Sequence, residues 1–152
     1  MIAELKVFLI AMSPILELRG SIPLALGVYD LPVWSAYLFS VIGNIVPVIF
    51  ILFLLESVSC YLSQHFYYFN RFFAWLFERT RQKHSAKFER WQEFALVILI
   101  AIPLPFTGAW TGSLCAFLFG IPFRKAFPLI TLGVILAGLI VTLTSLGIIN
   151  LI

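Results

Sequence analysis

Glu17 and Arg19 are two charges set inside sequence that is otherwise uncharged: Val7–Leu16 before them and Gly20–Tyr29 after them hold no Asp, Glu, Lys or Arg. If those runs lie in a bilayer, either charge left alone at its centre costs roughly 2.5–3.5 kcal/mol on insertion scales. A regular helix would send side chains at i and i+2 to different faces. Ser13-Pro14 and Pro23 interrupt that regularity, so at a hairpin tip the two charges can meet each other, or each can face a partner elsewhere in the chain. Two kinds of chemistry follow. In the first, Glu17 is a protonatable or cation-binding carboxylate and Arg19 its counter-charge or an anion anchor. In the second, the two form a structural ion pair that pins the hairpin.

A second break, Pro103 to Gly112, carries no charge but offers Pro103, Pro105, Thr107, Trp110 and Thr111 together with freed backbone groups. Helix N-termini beyond the two breaks, at Ser21 and near Thr107, present positive dipole ends and favour an anionic group. Gly108, Gly112, Ala116 and Gly120 recur every fourth residue after the second break, a ridge that close helix packing explains. Glu17, Arg19, Ser21, Pro103, Pro105, Thr107, Trp110 and Thr111 are therefore the candidate substrate- or ion-binding residues.

Soluble-type catalysis is absent from the pattern. There is no GxSxG, no HExxH, no Walker loop and no second acidic residue beside Glu17, so the expectation is a protein that is not an enzyme and needs no cofactor. His65 and His84 stand far apart in the polar middle of the chain and read as surface histidines, so no metal site is expected. Cys60 and Cys115 make neither a CxxC motif nor a disulfide framework.

The elements that must position these residues follow from composition. Of 152 residues, 62% are apolar and 11% charged, with a mean hydropathy of +1.05; soluble domains run at about 45–50% and about 25%. So much apolar surface needs lipid as its solvent. Disorder, a disulfide scaffold and a cytosolic enzyme are excluded together. The net charge of +3 reflects positive-inside bias, and no basic patch interleaved with aromatics points to nucleic acid.

Uncharged runs measure the spans. Leu31–Leu55 and Ala126–Ile152 exceed the ~20 residues that cross a ~30 Å hydrocarbon core. Phe94–Phe123 is also uncharged, but its clean arm, Phe94–Ile102, rises only ~13 Å as a helix. Met1–Tyr29 is broken in the same way. Both broken stretches are read as re-entrant hairpins that turn back within the bilayer. Charge agrees with this reading. Arg71, Arg79, Arg81, Lys83, Lys87 and Arg90 lie between Glu56 and Glu93, and Arg124-Lys125 follows the second hairpin. If that hairpin returns to its own side, all of these are cytoplasmic. The N-terminal segment resembles a signal peptide at Ala11-Met-Ser13, but Glu4 and Pro14 spoil the pattern, and it is read as retained.

Within the linker, His65–Trp91 reads as an amphipathic interfacial helix, with Phe66, Phe69, Phe72, Phe73, Leu76 and Phe77 at steps of three and four. Sliding the halves by 90 residues aligns Ile10-Ala11 with Ile100-Ala101, Leu24 with Leu114, Pro32 with Pro122 and Gly43 with Gly133. The expected fold is an all-α integral membrane protein in one domain, 1–152. A first repeat (1–55) and a second (94–152) each hold a re-entrant hairpin and a transmembrane helix. A cytoplasmic amphipathic linker (56–93) joins them as an inverted repeat, which places the site near the midplane.

Pro14-Ile-Leu-Glu17-Leu-Arg19-Gly-Ser-Ile-Pro23 and Pro103-Leu-Pro-Phe-Thr-Gly-Ala-Trp-Thr-Gly112 resemble the putative small multidrug export protein family over essentially the whole chain. That family in turn is similar to the DedA (VTT-domain) superfamily, whose two re-entrant hairpins face each other and whose members are linked to lipid-carrier translocation and proton-coupled transport. The resemblance implies a transporter with Glu17 and Arg19 at its site. The resulting expectation is a multi-pass protein of a prokaryotic cell (inner) membrane. It would move an amphipathic substrate, either a lipid phosphate or a hydrophobic drug-like compound, with a proton exchanged through Glu17. The alternative is a non-transporting scaffold or assembly factor. Membrane lipids are expected partners, and hairpins that need cover from lipid suggest a homodimer.

Overall fold

The computed structural model describes residues 2–81, 86–103 and 107–149, and every regular element in them is a helix. The order is α1 (Ile2–Met12), α2 (Glu17–Gly27), α3 (Val33–His65), α4 (Tyr67–Arg81), α5 (Ala86–Ala101), α6 (Ala109–Leu118) and α7 (Phe123–Ile149). Two helices, α3 over Val33–Tyr61 and α7 over Phe123–Ile149, are long and apolar enough to cross a bilayer. Each tolerates one proline, Pro47 in α3 and Pro128 in α7. Proline lacks the N–H that would serve the carbonyl four residues back, a loss that neighbouring helices can offset in a membrane bundle.

Each broken stretch is a pair of short helices, α1 with α2 and α5 with α6, that pack on each other. Lys6 of α1 sits 5.8 Å from the ring centroid of Tyr29, just past α2. Lys125, in the first turn of α7, lies 3.5 Å from the Glu93 carboxylate in the middle of α5. The first turn is made by Ser13-Pro14-Ile15-Leu16, where the Leu16 N–H donates to Ser13 Oγ at 3.2 Å. The second turn includes residues 104–106, which lie outside the described residues.

The two three-helix units pack by the same rule. A Cβ added to Gly43 of α3 would meet the Phe8 carbonyl oxygen at 2.5 Å and Ala11 Cβ at 2.9 Å, both in α1. A Cβ added to Gly133 of α7 would meet Ile100 Cβ at 2.7 Å and the Val97 carbonyl oxygen at 3.3 Å, both in α5. These are the two glycines that the 90-residue offset pairs. The second arms then exchange: α2 packs on α7 as well as on α3, and α6 packs on α3 as well as on α7. Leu18 and Ile22 of α2, Val41 and Val48 of α3, Ile100 of α5, Ala116 of α6 and Ile130 and Val134 of α7 close into one buried cluster. The core belongs to both halves.

Three boundaries differ from the sequence expectation, for one reason. The first long helix continues past Leu55 to His65, and the second hairpin's first helix begins at Ala86 rather than Phe94. Residues 56–65 and 86–93 hold neither Gly nor Pro, so nothing in them stops a helix. The charges mark where hydrocarbon should end, and the hydrogen-bond ladder runs on past them. The expected single helix over His65–Trp91 is accordingly divided among the end of α3, α4 and the start of α5, with 82–85, including His84, outside the described residues. In α4, Tyr67, Tyr68, Phe72 and Trp75 are exposed, and Phe73 meets Phe117 of α6 edge-on, with centroids 6.1 Å apart. The side chains of Phe69, Leu76 and Phe77 are outside the described ones.

Candidate functional site

Glu17 is the first residue of α2 and is held at φ 45°. That left-handed conformation is uncommon for a side chain longer than Asn or Asp. It follows from the turn: Pro14 cannot continue α1, and the chain must reverse within four residues before α2 starts. The result is a carboxylate aimed away from its own helix. Glu17 is only 8% exposed, and its carboxylate accepts from the backbone N–H groups of Ala109 and Trp110.

Those two N–H groups open α6, and Gly108 at its N-cap has no side chain to satisfy them. The first turn of any helix leaves such donors free, with a positive dipole end behind them. Glu17 therefore caps α6 from the other half of the chain. Gly108 is what lets it in. A Cβ there would fall inside the carboxylate, overlapping Glu17 Oε2 and crowding its Cδ.

Arg19 makes the companion contact. Its Nη2 donates to the Thr107 carbonyl oxygen and to Thr107 Oγ1 at 2.9 Å, while Thr107 Oγ1 donates onward to the Ile102 carbonyl at 3.1 Å. Thr107 thus ties the end of α5 to Arg19, one residue before Gly108. The i and i+2 spacing that a regular helix would waste serves two adjacent targets on the opposite tip.

Glu17 and Arg19, with Gly108 and Ala109 of the opposite tip, line a cavity of about 10 Å³ among α2, α3, α5, α6 and α7; Thr107 and Trp110 meet them by hydrogen bond without lining it. The candidate residues divide accordingly. Glu17, Arg19, Thr107 and the Trp110 backbone come together. Ser21 is fully buried, but its Oγ turns to the Leu18 carbonyl of its own helix at 3.4 Å, outside the cavity lining. Pro103 is exposed at the end of α5. Thr111 stands a residue further into α6 and does not line the cavity. Pro105 lies outside the described residues. The Trp110 indole Nε1 is buried with no acceptor among the described residues.

One residue of the wall was not among the sequence candidates. Asn44, in the middle of α3, lines the same cavity, is 1% exposed, and its Oδ1 receives no hydrogen bond from any described residue. The available signal was a lone carboxamide inside an otherwise uncharged span.

Chemically, the arrangement joins an anion, a cation and a helix N-terminus at a contact between two broken helices. A proton on the carboxylate, or another anion taking its donors, would weaken such a contact. A family model described as "Putative small multi-drug export protein" matches residues 17–140, from the first residue of α2 to well into α7. No curated protein and no solved structure matches the chain.

Proposed function

The chain belongs to the putative small multi-drug export protein family, and from that premise we propose that it is a small membrane transporter whose substrate passes between the two hairpin tips. The observation that carries this reading is the crossed contact. Glu17 and Arg19 of one tip are satisfied by the backbone and side chain of the other, at a place where no other titratable side chain lines the cavity. In hydrocarbon such charges are expensive, and a purely apolar tip would pack without them.

In this reading both hairpins are re-entrant, α3 and α7 span the bilayer, and the halves form an inverted repeat with the site near the midplane. The Lys6–Tyr29 and Lys125–Glu93 contacts and the matched glycine contacts support it. Ionised Glu17 holds α6 by its N-terminus, and Arg19 holds Thr107. A proton on Glu17 would weaken the first tie, and an anionic headgroup would compete for the same N–H groups and for Arg19. Either event frees one tip from the other, so that access alternates as the halves rock. An amphipathic substrate fits, with its polar end at the tips and its apolar body in lipid. A lipid phosphate matches the donor set best, and a hydrophobic drug-like compound is the other class. The wider likeness to DedA proteins belongs to this reading. So do a prokaryotic inner membrane, a homodimer covering the hairpins, and the absence of covalent chemistry or cofactor.

The same contacts favour a second reading. Because Glu17 and Arg19 are both satisfied by protein groups, they also suit a fixed clasp in a membrane scaffold or assembly factor. Reconstituted vesicles separate the two. Wild-type protein should move at least one of a panel of polyprenyl phosphates, phospholipids and lipophilic cations, and Glu17→Gln and Arg19→Ala should each slow that flux at equal protein incorporation. If the wild type moves nothing, or both variants match it, transport is wrong and the clasp remains.

A further inference from the structure

Two buried acceptors face one small space. Asn44 Oδ1 and the Glu17 carboxylate lie on the wall of the same cavity, and no described residue donates to the first. A buried amide oxygen left without a donor costs the full desolvation penalty of that group, so such atoms are nearly always satisfied by protein or by an ordered water. The cavity measures about 10 Å³, close to the room that one water requires. A water has two O–H donors, which matches two acceptors in one space. Ser40, one turn before Asn44 on the same face of α3, is also fully buried with an unpartnered Oγ, so this helix presents a polar stripe inward.

We propose that the cavity binds a single water molecule, donating to Asn44 Oδ1 and to the Glu17 carboxylate, and that Asn44 is thereby a binding residue of the site. A monovalent cation would need the same oxygens. However, Arg19 shares the wall and the α6 N-terminus points its positive end at Glu17, so the local field opposes a second cation. The remaining lining from α5, α6 and α7 is apolar side chain and glycine, which leaves Arg19 as the one other charged group facing the water. The inference stands on the cavity alone, and transport can fail without it.

The test uses the full chain in nanodiscs. An experimental structure should show a density peak within hydrogen-bond distance of both Asn44 Oδ1 and Glu17; a site without that peak overturns the proposal. Thermal unfolding then reads the role of Asn44. Asn44→Leu keeps the number and branching of the side-chain atoms but removes the acceptor, and should lower Tm by at least about 2 °C. An unchanged or higher Tm would mean that the amide was a bare group in a dry void, which refutes a held water. Wild-type Tm should be the same in sodium chloride and choline chloride. A rise with sodium that Asn44→Leu abolishes would make this a cation site and overturn the proposal. If Asn44→Leu does not fold, the density and the salt comparison on wild-type protein decide.

Discussion

Gly108 is the residue on which the site depends most directly, because its missing side chain is the space that the Glu17 carboxylate fills. Its φ of 164° is extended backbone that any residue adopts, so a substitution acts through contact alone. Gly108→Ala should push Glu17 off the α6 N-terminus and cost about 1–3 kcal/mol, the usual range for overpacking. Gly27→Ala is the control, since nothing lies within 4 Å of a Cβ there; it should leave Tm within a degree or two. Thermal unfolding of the two variants side by side checks this pair. The Arg19–Thr107 tie has its own measurement. Arg19→Ala, Thr107→Val and the double variant form a cycle in which Val removes Oγ1 but keeps the carbonyl that also accepts from Arg19. The coupling energy should be about 0.5 kcal/mol or more; additive effects would mean that the side-chain contact contributes nothing.

Among the elements, α1 packs on α3 and α5 on α7 with one glycine of the long helix at each contact. Gly43→Val and Gly133→Val should each lower Tm by several degrees, because the atoms they meet include backbone carbonyls that cannot rotate away. They act at separate interfaces, so the double variant should show the sum of the two losses. Gly147→Ala in α7 meets nothing and should be neutral. A marked departure from additivity would show that the two units are not independent at these contacts. The helix α4 makes a different prediction. Trp34 at the start of α3, Trp75 in α4 and Trp91 in the first half of α5 are exposed, which suits an interfacial aromatic belt, while the Trp110 indole nitrogen is buried. In single-tryptophan variants, lipids brominated near the headgroup should quench Trp34, Trp75 and Trp91 strongly and Trp110 weakly. Equal quenching of all four would remove the interfacial placement.

At the scale of the whole molecule, the proposed re-entrant hairpins, which the Lys6–Tyr29 and Lys125–Glu93 contacts support, predict a topology. With α3 and α7 as the two crossings, both termini would lie on one side and the linker on the other. With Cys60 and Cys115 replaced, a cysteine at position 2 should react with an impermeant reagent from outside. One introduced between residues 66 and 81 should react only after the membrane is opened. Labelling of both from one side would end the two-hairpin arrangement and, with it, the inverted relation between the halves.

Much of this was legible in the residues themselves. Charge-free length identified α3 and α7, because a span must match hydrocarbon thickness. Proline clusters located both breaks, because proline cannot continue a helical ladder. The cost of charge in lipid marked Glu17 and Arg19. The helix ends were less legible, since a polar stretch without Gly or Pro neither stops α3 at Leu55 nor delays α5 to Phe94. What only the tertiary structure decided was the partnership. The sequence left open whether Glu17 and Arg19 pair with each other or reach across. The answer depended on backbone N–H groups of Ala109 and Trp110 and a carbonyl of Thr107, groups that every residue carries and no residue type announces. Asn44 was invisible for a related reason: a polar side chain in a span can face lipid, a neighbouring helix or a cavity, and only the packing of α3 against α2 and α6 turned it towards Glu17.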